Sequence, residues 1–451
     1  MQNNSGLLLD LYELTMSASY FEHKVKARAT FDLFVRRLPK KRSFLIAAGL
    51  ENVLKFLENF SFSSQDIDSL KQKGIFRDNF LDYLAAQRFT GDVYALPEGT
   101  IFFPNEPILR VTAPILEAQL VESYLLNAIN VATTICSKAA RVTQAAKERG
   151  VYDFSLRRTQ GADAALAAAR SSYIAGCSGT SNVLAGTLYN MPIAGTMAHS
   201  FIMSFQDEKE SFRAYAATFP DSTTLLVDTY DYKRGIQNAI CIAKELEGKG
   251  HKLKAIRLDS GSLLCISKFA RSLLNSNGLG YVKILASGNL DEYKIEKLLQ
   301  SKAAIDTFGV GTNMGVSSDA PYLDVIYKLS QIDDPEGNCY PVMKLSQDKV
   351  TYPGKKQIFR IYGKNGFFVK DIVALEEEET EGKPLLKKVM ENGKAVSCFP
   401  SLEKIRSLAQ DNLKCLPAQY KKLIGKRVYP VLLSKGLSQL VSKLKEQIKS
   451  R

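Results

Sequence analysis

TTLLVDTYDYKRGIQNAICIAKELEGKGHKLKAIRLDSGSLLCISKFARSLLNSNGLGYVKILASGNLDEYKIEKLLQSKAAIDTFGVGT, residues 223–312, decides the fold class by its alternation. Four short apolar runs, TTLLVD (223–228), LKAIRLD (253–259), YVKILAS (281–287) and AIDTFGV (304–310), have the length and character of strands. The segments between them, such as YKRGIQNAICIAKELEGKG and GSLLCISKFARSLLNSNG, repeat their apolar residues at helical spacing. Upstream, VYDFSL (151–156) and MPIAGTMA (191–198) read as two further strands. From His199 to Asp228 is 29 residues, to Asp259 another 31, to Gly288 another 29 and to Gly311 another 23. Strands alternating with helices at that period imply a parallel sheet. Six consecutive units favour a closed or nearly closed βα barrel over a doubly wound sheet.

Each of these runs ends in a small-polar or charged cluster: Arg157-Arg158, His199-Ser200, Asp228, Asp259-Ser260-Gly261, Ser287-Gly288-Asn289 and Gly311-Thr312. Parallel strands place all their C-terminal ends on one rim, where βα barrels assemble their sites. Gly, Asp and Asn are also common in turns, so one such cluster would mean little. Six in succession point to a site for a polar, phosphate-bearing ligand.

Composition bounds the rest. The chain has 451 residues, 45% apolar and 24% charged, which excludes disorder and collagen-like repeats. Its seven cysteines, 136, 177, 241, 265, 339, 398 and 415, fall into no CxxC or Cys/His spacing and read as small hydrophobes in a reducing compartment. The apolar start of MQNNSGLLLDLYELTM is cut by Asp10 and Glu13 and has no basic lead, which argues against a signal peptide. With no apolar run long enough to span a bilayer, a cytoplasmic protein without a membrane partner is expected. The net charge of +13 is concentrated in residues 401–451, which carry +9. That tail, ending VSKLKEQIKSR, reads as a solvated basic helix; it lacks the aromatic interleaving or motif of a nucleic-acid binder. Residues 1–125 mix helix and strand, as in TFDLFVRRL and GDVYALPEGTIFF, and form a separate sheet-containing lobe before a helical stretch introduces the barrel.

Chemically, Ser287-Gly288-Asn289 runs straight into a helix, so backbone N–H groups and the positive helix end can seat an anion. FGVGT (308–312) is a second glycine turn that lets backbone approach a ligand closely. Asp259 can meet ribose hydroxyls or a hydrated Mg2+, or simply cap the next helix. Of the three histidines, His23 and His251 sit among charges, whereas His199 closes GTMAHS at the rim. It can serve as base, ligand or nucleophile if an acid holds its other nitrogen, and Asp228 is the natural candidate.

These residues resemble the nicotinate phosphoribosyltransferase family. The resemblance is carried by DLYELTM (10–16), FDLFVRRLP (31–39), YDFSLRRTQGADAA (152–165), GTSNVLAG (179–186), GTMAHSF (195–201), LLVDTYD (225–231), RLDSG (257–261), ASGNLDEYKI (286–295) and FGVGT (308–312), in family order along most of the chain. It implies an irregular α/β barrel of the type II phosphoribosyltransferase kind over 126–330, plus a lobe built from 1–125 and 331–451. The reaction it implies transfers phosphoribosyl from phosphoribosyl pyrophosphate to nicotinate for NAD salvage. ATP is hydrolysed alongside, Mg2+ is required, and active sites are shared across a homodimer.

By the same resemblance His199 is the histidine that ATP phosphorylates and Asp228 the acid that orients it. Ser287, Gly288, Gly311 and Thr312 hold the 5′-phosphate; Asp259, Ser260, Gly261 and Asn289 attend the ribose or metal, with Asp259 the metal candidate. Tyr12 of a second copy and Phe154 sandwich the pyridine ring, beside Thr180 and Ser181. Arg157 and Arg257 are candidates for its carboxylate, where a guanidinium fork suits a planar acid. Arg36, Arg42, Lys355 and Lys356 resemble residues that reach phosphates. The nicotinamide-using relative has an acid where this chain has Ser181, and an acid would repel a carboxylate, so Ser181 favours nicotinate. Ser262 stands where the family usually carries an acid, and Ser155 and Cys177 where Gly and an aromatic are common. An idle, nucleotide-binding relative is the contrasting reading; the retained His199, Asp228 and Asp259 argue against it.

Overall fold

The computed structural model describes residues 6–346 and 349–450. The first five residues of the segment read against a signal peptide, and the terminal Arg451 of the basic tail, lie outside the described residues. The chain divides into two compact units, Ile135–Pro321 and a second one formed by Met1–Thr134 with Tyr322–Arg451.

The Ile135–Pro321 unit contains a six-stranded sheet. Its ladder runs Gly179–Thr180, Gly150–Asp153, Thr307–Val310, Lys283–Ala286, Ala255–Leu258, Thr224–Leu226, every pair parallel. The last strand in sequence, Thr307–Val310, pairs with the first, Gly150–Asp153, as in a barrel where the chain has come full circle. Ile193 extends the ladder by one parallel bridge to Thr180. Among the described residues the ring is open only between Ile193 and Thr224–Leu226, the interval that carries His199. The strand expected at 191–198 is reduced to that bridge. Pro192 has no N–H to give a ladder, so Thr180 N–H donates to the Pro192 carbonyl and Ala194 N–H returns to Thr180. The two-residue strand Gly179–Thr180 takes the place in the sheet that the longer run was expected to fill.

Amphipathic helices follow the strands. Tyr232–Glu247 buries Ile236, Ala239, Ile240, Ala243 and Leu246, one stripe at helical spacing, and is N-capped by Asp231, which accepts from Arg234 N–H at 2.9 Å. Gly235 has no room for a side chain: a Cβ there would lie 2.0 Å from the Val227 carbonyl oxygen. The helix is thus seated directly on the strand end that presents Asp228. Leu225, Val227, Ile256, Leu258 and Ile284 form the core beneath.

The other unit is built on a seven-stranded sheet in which Arg28–Val35 lies between Pro107–Pro114 and Val325–Asp333, both antiparallel to it. The expected boundaries at 125 and 330 sit beside the observed 134 and 321. Residues 322–330 belong to this unit, where Val325–Asp333 is one of its strands, and not to the barrel unit. A four-stranded sheet includes Lys356–Tyr362, Phe368–Leu375 and Val431–Leu433, and the basic tail forms the helix Lys435–Lys449, whose Leu437 and Val441 pack against Val373. No helix among the described residues is long and apolar enough to cross a membrane.

Candidate active site

The strand ends of the Ile135–Pro321 unit bring most of the sequence-selected residues to one rim. Arg257, at the end of Ala255–Leu258, is its organiser. Its Nε donates to Ser287 Oγ at 2.9 Å, Nη1 to Thr196 Oγ1 at 3.0 Å and the Met197 carbonyl at 3.3 Å, and Nη2 to Asp259 Oδ1 at 2.7 Å. Ser287 Oγ also donates to Asp259 Oδ1. Burial opposes ionisation of Asp259, but the Ser287 hydrogen bond and the Arg257 guanidinium outweigh it and hold the carboxyl below its ordinary value. With its donors engaged inside the unit, Arg257 braces the rim and leaves Arg157, exposed on the turn Leu156–Arg158, as the freer guanidinium.

His199 opens the short helix His199–Met203. Its Nδ1 lies 3.1 Å from Thr229 Oγ1 and its Nε2 3.8 Å from Asp259 Oδ2. The expected His199–Asp228 pairing is therefore not formed. Asp228 Oδ2 accepts from Asp259 N–H at 2.9 Å and Ser260 Oγ at 2.6 Å, because neighbouring parallel strands carry Asp228 and Asp259. Its Oδ1 is buried without a hydrogen-bond partner.

The two glycine turns are adjacent. Gly288 has φ +96°, and a Cβ there would sit 2.0 Å from the Asp259 carbonyl oxygen, so the turn can lie against Asp259 only as glycine. Asn313 Nδ2 donates to Asn289 Oδ1 at 2.9 Å and joins this turn to the one at Gly311-Thr312. Asp291 caps the helix Glu292–Gln300, accepting from Lys294 N–H at 2.8 Å. That corrects the expectation of an open helix end: the helix end is capped, whereas the turn N–H groups of Gly288, Asn289 and Thr312 have no acceptor among the described residues. Lys294 Nζ holds the Asn289 carbonyl at 2.7 Å.

Phe154 lies over Gly309, where a Cβ would be 2.5 Å from its ring, and its centroid is 5.7 Å from the Arg257 guanidinium carbon. Beneath it the buried Asp153 accepts from Ser155 N–H at 3.0 Å and Thr180 Oγ1 at 2.8 Å; burial pushes its carboxyl up. Asp153, Thr229, Thr196 and Asn313 escaped the sequence reading. The signal for Asp153 and Thr229 was their position beside Phe154 and Asp228 at strand ends, the same criterion that found their neighbours.

Tyr12, Arg36, Arg42, Lys355 and Lys356 belong to the other unit. Tyr12 is 44% exposed on the helix Leu11–Glu22. Arg36 is half-buried. Arg42 is buried and donates to the Thr134 carbonyl. Lys355 pairs with Asp333 at 3.0 Å. Lys356, expected among the basic residues that reach phosphates, is buried, paired with Asp32 at 2.6 Å and bonded to the Tyr352 and Gly354 carbonyls, so its ammonium is engaged within its own unit.

A near-complete ring of parallel strands whose C-terminal rim carries paired glycine turns, an acid and a histidine is an α/β barrel of the type II phosphoribosyltransferase kind. Residues 7–130, 150–367 and 378–441 match, respectively, the nicotinate phosphoribosyltransferase (NAPRTase) N-terminal domain, the NAPRTase family and the C-terminal domain. Nicotinate phosphoribosyltransferase pncB2 of Mycobacterium tuberculosis is 46% identical over 96% of this chain and 92% of its own. The Bacillus subtilis nicotinate phosphoribosyltransferase is 37% identical over 99% and 96%. The crystal structure of human nicotinic acid phosphoribosyltransferase superposes with a TM-score of 0.87 at 30% identity, covering 97% of this chain and 100% of that one. The chain belongs to the nicotinate phosphoribosyltransferase family, an enzyme of NAD salvage whose substrates the family implies.

Proposed function

We propose that this enzyme couples ATP hydrolysis to transfer of phosphoribosyl from phosphoribosyl pyrophosphate to nicotinate, through a phosphohistidine at His199. The observation that carries the proposal is His199 at the rim with one ring nitrogen toward Thr229 and the other 3.8 Å from Asp259, the acid backed by both Ser287 and Arg257. In the tautomer where Nδ1–H donates to Thr229, Nε2 has a free lone pair. It attacks the γ-phosphorus of ATP as the bond to the β-phosphate oxygen breaks and ADP leaves; water later hydrolyses the P–N bond to phosphate. In the transfer itself the pyrophosphate oxygen leaves the anomeric carbon with the bonding pair, and the pyridine nitrogen lone pair forms the C–N bond. The products are nicotinate mononucleotide and pyrophosphate. No proton must be removed, so the chain's part is positioning and charge stabilisation.

The turn N–H groups of Gly288, Asn289 and Thr312 take the 5′-phosphate, and Asp259 with Ser260 faces the ribose. Phe154 stacks on the pyridine ring and Arg157 receives its carboxylate. The unpartnered Asp228 Oδ1 beside Asp259 fits an ion such as Mg2+, which needs only one or two protein carboxylates. No cluster of three or more metal-ligating side chains exists among the described residues. Asp228 and Asp259 are the residues that would hold the ion, which supplies neutralisation of polyphosphate charge. Exposed Val183, Leu184 and Leu188, next to Ser181 in sequence, support a homodimer, and Tyr12 is available to a second copy. The seven free cysteines support a cytoplasmic setting.

Purified protein with nicotinate, phosphoribosyl pyrophosphate, ATP and Mg2+ should release pyrophosphate and become acid-labile, alkali-stable labelled from γ-phosphate-labelled ATP. A His199→Ala variant should keep its fold and lose the label. Label persisting in that variant moves the phosphate elsewhere, and absence of turnover in the unmodified enzyme defeats the reading.

A further inference from the structure

Behind the two phosphate turns lies a buried ionic cluster that the chemistry above does not use. Lys138, on the long helix Glu122–Ala146, has its ammonium 2.6 Å from Glu292 Oε2 and 2.7 Å from Asp319 Oδ1. Arg141, one helical turn on, donates from Nε to Glu292 Oε1 at 3.0 Å and from Nη2 to the Tyr293 hydroxyl at 3.0 Å. The Lys138 and Glu292 side chains are 1% and 0% exposed. Glu292 is the first residue of the helix that follows the Ser287–Asn289 turn, and Asp319 lies in the segment that follows the Gly311-Thr312 turn. One ammonium therefore grips the supports of both turns from below, while Asn313 joins them at the rim.

Burying these charges is costly, and well-packed apolar side chains would serve stability at least as well. What an apolar cluster lacks is a fixed geometry: an ammonium between two carboxylates has one arrangement, and it sets the distance between the two backbones that carry them. We propose that Lys138 is a positioning residue for the transfer reaction, holding the two turns at the separation that fits one phosphate. The proposal rests on reading those turns as the seat of the 5′-phosphate.

The test compares Lys138→Met, Asp319→Asn and the double variant Lys138→Met/Glu292→Gln in the full-length enzyme, with Thr312→Glu as a check on the seat. Thr312→Glu places a carboxylate at the turn and should raise the KM for phosphoribosyl pyrophosphate at least tenfold. If it does not, the seat reading fails and the proposal with it. Lys138→Met should melt well below the unmodified enzyme, because Glu292 loses a buried partner. The double variant removes the Lys138 and Glu292 charges while the new amide oxygen can still accept from Arg141 Nε, and it should recover part of that loss. Its KM for phosphoribosyl pyrophosphate should nevertheless stay five- to tenfold raised, with the KM for nicotinate and kcat within twofold. Asp319→Asn, which leaves the Lys138–Glu292 contact in place, should raise the same KM about threefold without a large melting change. A double variant that regains its KM together with its stability, or variants in which both KM values rise equally while Thr312→Glu behaves as expected, would reduce Lys138 to a structural role and overturn the proposal alone.

Discussion

Gly288→Ala is the substitution whose consequence follows most directly from the geometry. The added Cβ would stand 2.0 Å from the Asp259 carbonyl oxygen and 3.0 Å from its carbon. Carbon–oxygen contacts close at about 3.3 Å, so the turn must retreat from Asp259 by roughly 1 Å. Two terms add: left-handed backbone at φ +96°, about 1–2 kcal/mol for a non-glycine residue, and the overpacking, about 1–3 kcal/mol. Gly278→Ala separates them. It shares a positive φ, +75°, but its nearest neighbour would be the Lys244 ammonium at 4.0 Å, so it carries the first term alone. We expect Gly278→Ala to lose about 1–2 kcal/mol in denaturant unfolding and to keep its catalytic parameters. Gly288→Ala should lose about 2–5 kcal/mol and, because a seat displaced by about 1 Å costs on the order of a hundredfold, drop kcat/KM for phosphoribosyl pyrophosphate by about that factor. The assay is initial-rate pyrophosphate release against phosphoribosyl pyrophosphate concentration, below the melting temperature of each variant. A kcat/KM for Gly288→Ala within threefold of Gly278→Ala would refute the claim that this turn, pressed against Asp259, is the phosphate seat.

Nicotinamide in place of nicotinate should give at least tenfold less product, and equal rates would remove Ser181 and Arg157 from the selection of the acid. Chelating Mg2+ should abolish pyrophosphate release, and Asp228→Asn should raise the Mg2+ concentration for half-maximal rate about tenfold; an unchanged Mg2+ requirement in that variant would take Asp228 out of the metal's reach. Glu13 gives a pH signature in the other unit. Burial, opposed by its hydrogen bonds from Ser123 and reinforced by Glu122 and Asp10, pushes its carboxyl up to about 7, and its Oε2 has no partner. Between its ordinary value and 7 the folded chain holds a proton that the unfolded chain has released. Stability should fall as pH rises through that window, by at most roughly 3 kcal/mol. Melting curves at pH 5 and 8 should show the loss, and Glu13→Gln should flatten it; an equal slope in the variant would assign the pH dependence to other groups.

The barrel was legible because its strands and helices differ in hydrophobic period and each strand ends in a polar cluster, both local properties. Where the reading slipped, the deciding contact was not local. MPIAGTMA has a strand's composition, but Pro192 cannot donate and a two-residue strand at Gly179 takes the ladder position. Asp228 is one βα unit from His199, yet the opening of the ring falls between them, whereas the Asp228 and Asp259 strands are hydrogen-bonded neighbours, so the carboxylate turns to Asp259 and Ser260. Lys356 looked like any basic loop residue because its partner, Asp32, is on a distant strand of the same unit. Arg257 was found by position, but that its donors are already taken by Ser287, Thr196, Met197 and Asp259 is a fact of packing.

Asp259 is the point at which the two halves of the proposed chemistry meet. Its Oδ1 is held by Arg257 and Ser287, its backbone N–H by Asp228, and its Oδ2 faces the imidazole of His199. Those contacts favour the ionised carboxyl, so a phosphoryl group on His199 would bring its charge against a fixed negative charge. Unit charges about 4 Å apart near a protein surface repel by a few kcal/mol, less once solvent screening is counted. Repulsion of that size would fall on the groups that meet at Asp259, namely the imidazole, the Arg257 guanidinium and Asp228. Arg257 also grips Thr196 and Met197, the residues that lead into the His199 helix, so one side chain bonds both the loop at the opening of the ring and the Ser287 turn. On the proposed chemistry the nucleophile at His199 and the phosphate seat at the Ser287 turn are thus joined through one guanidinium, the kind of link that coupling of ATP hydrolysis to the transfer would require.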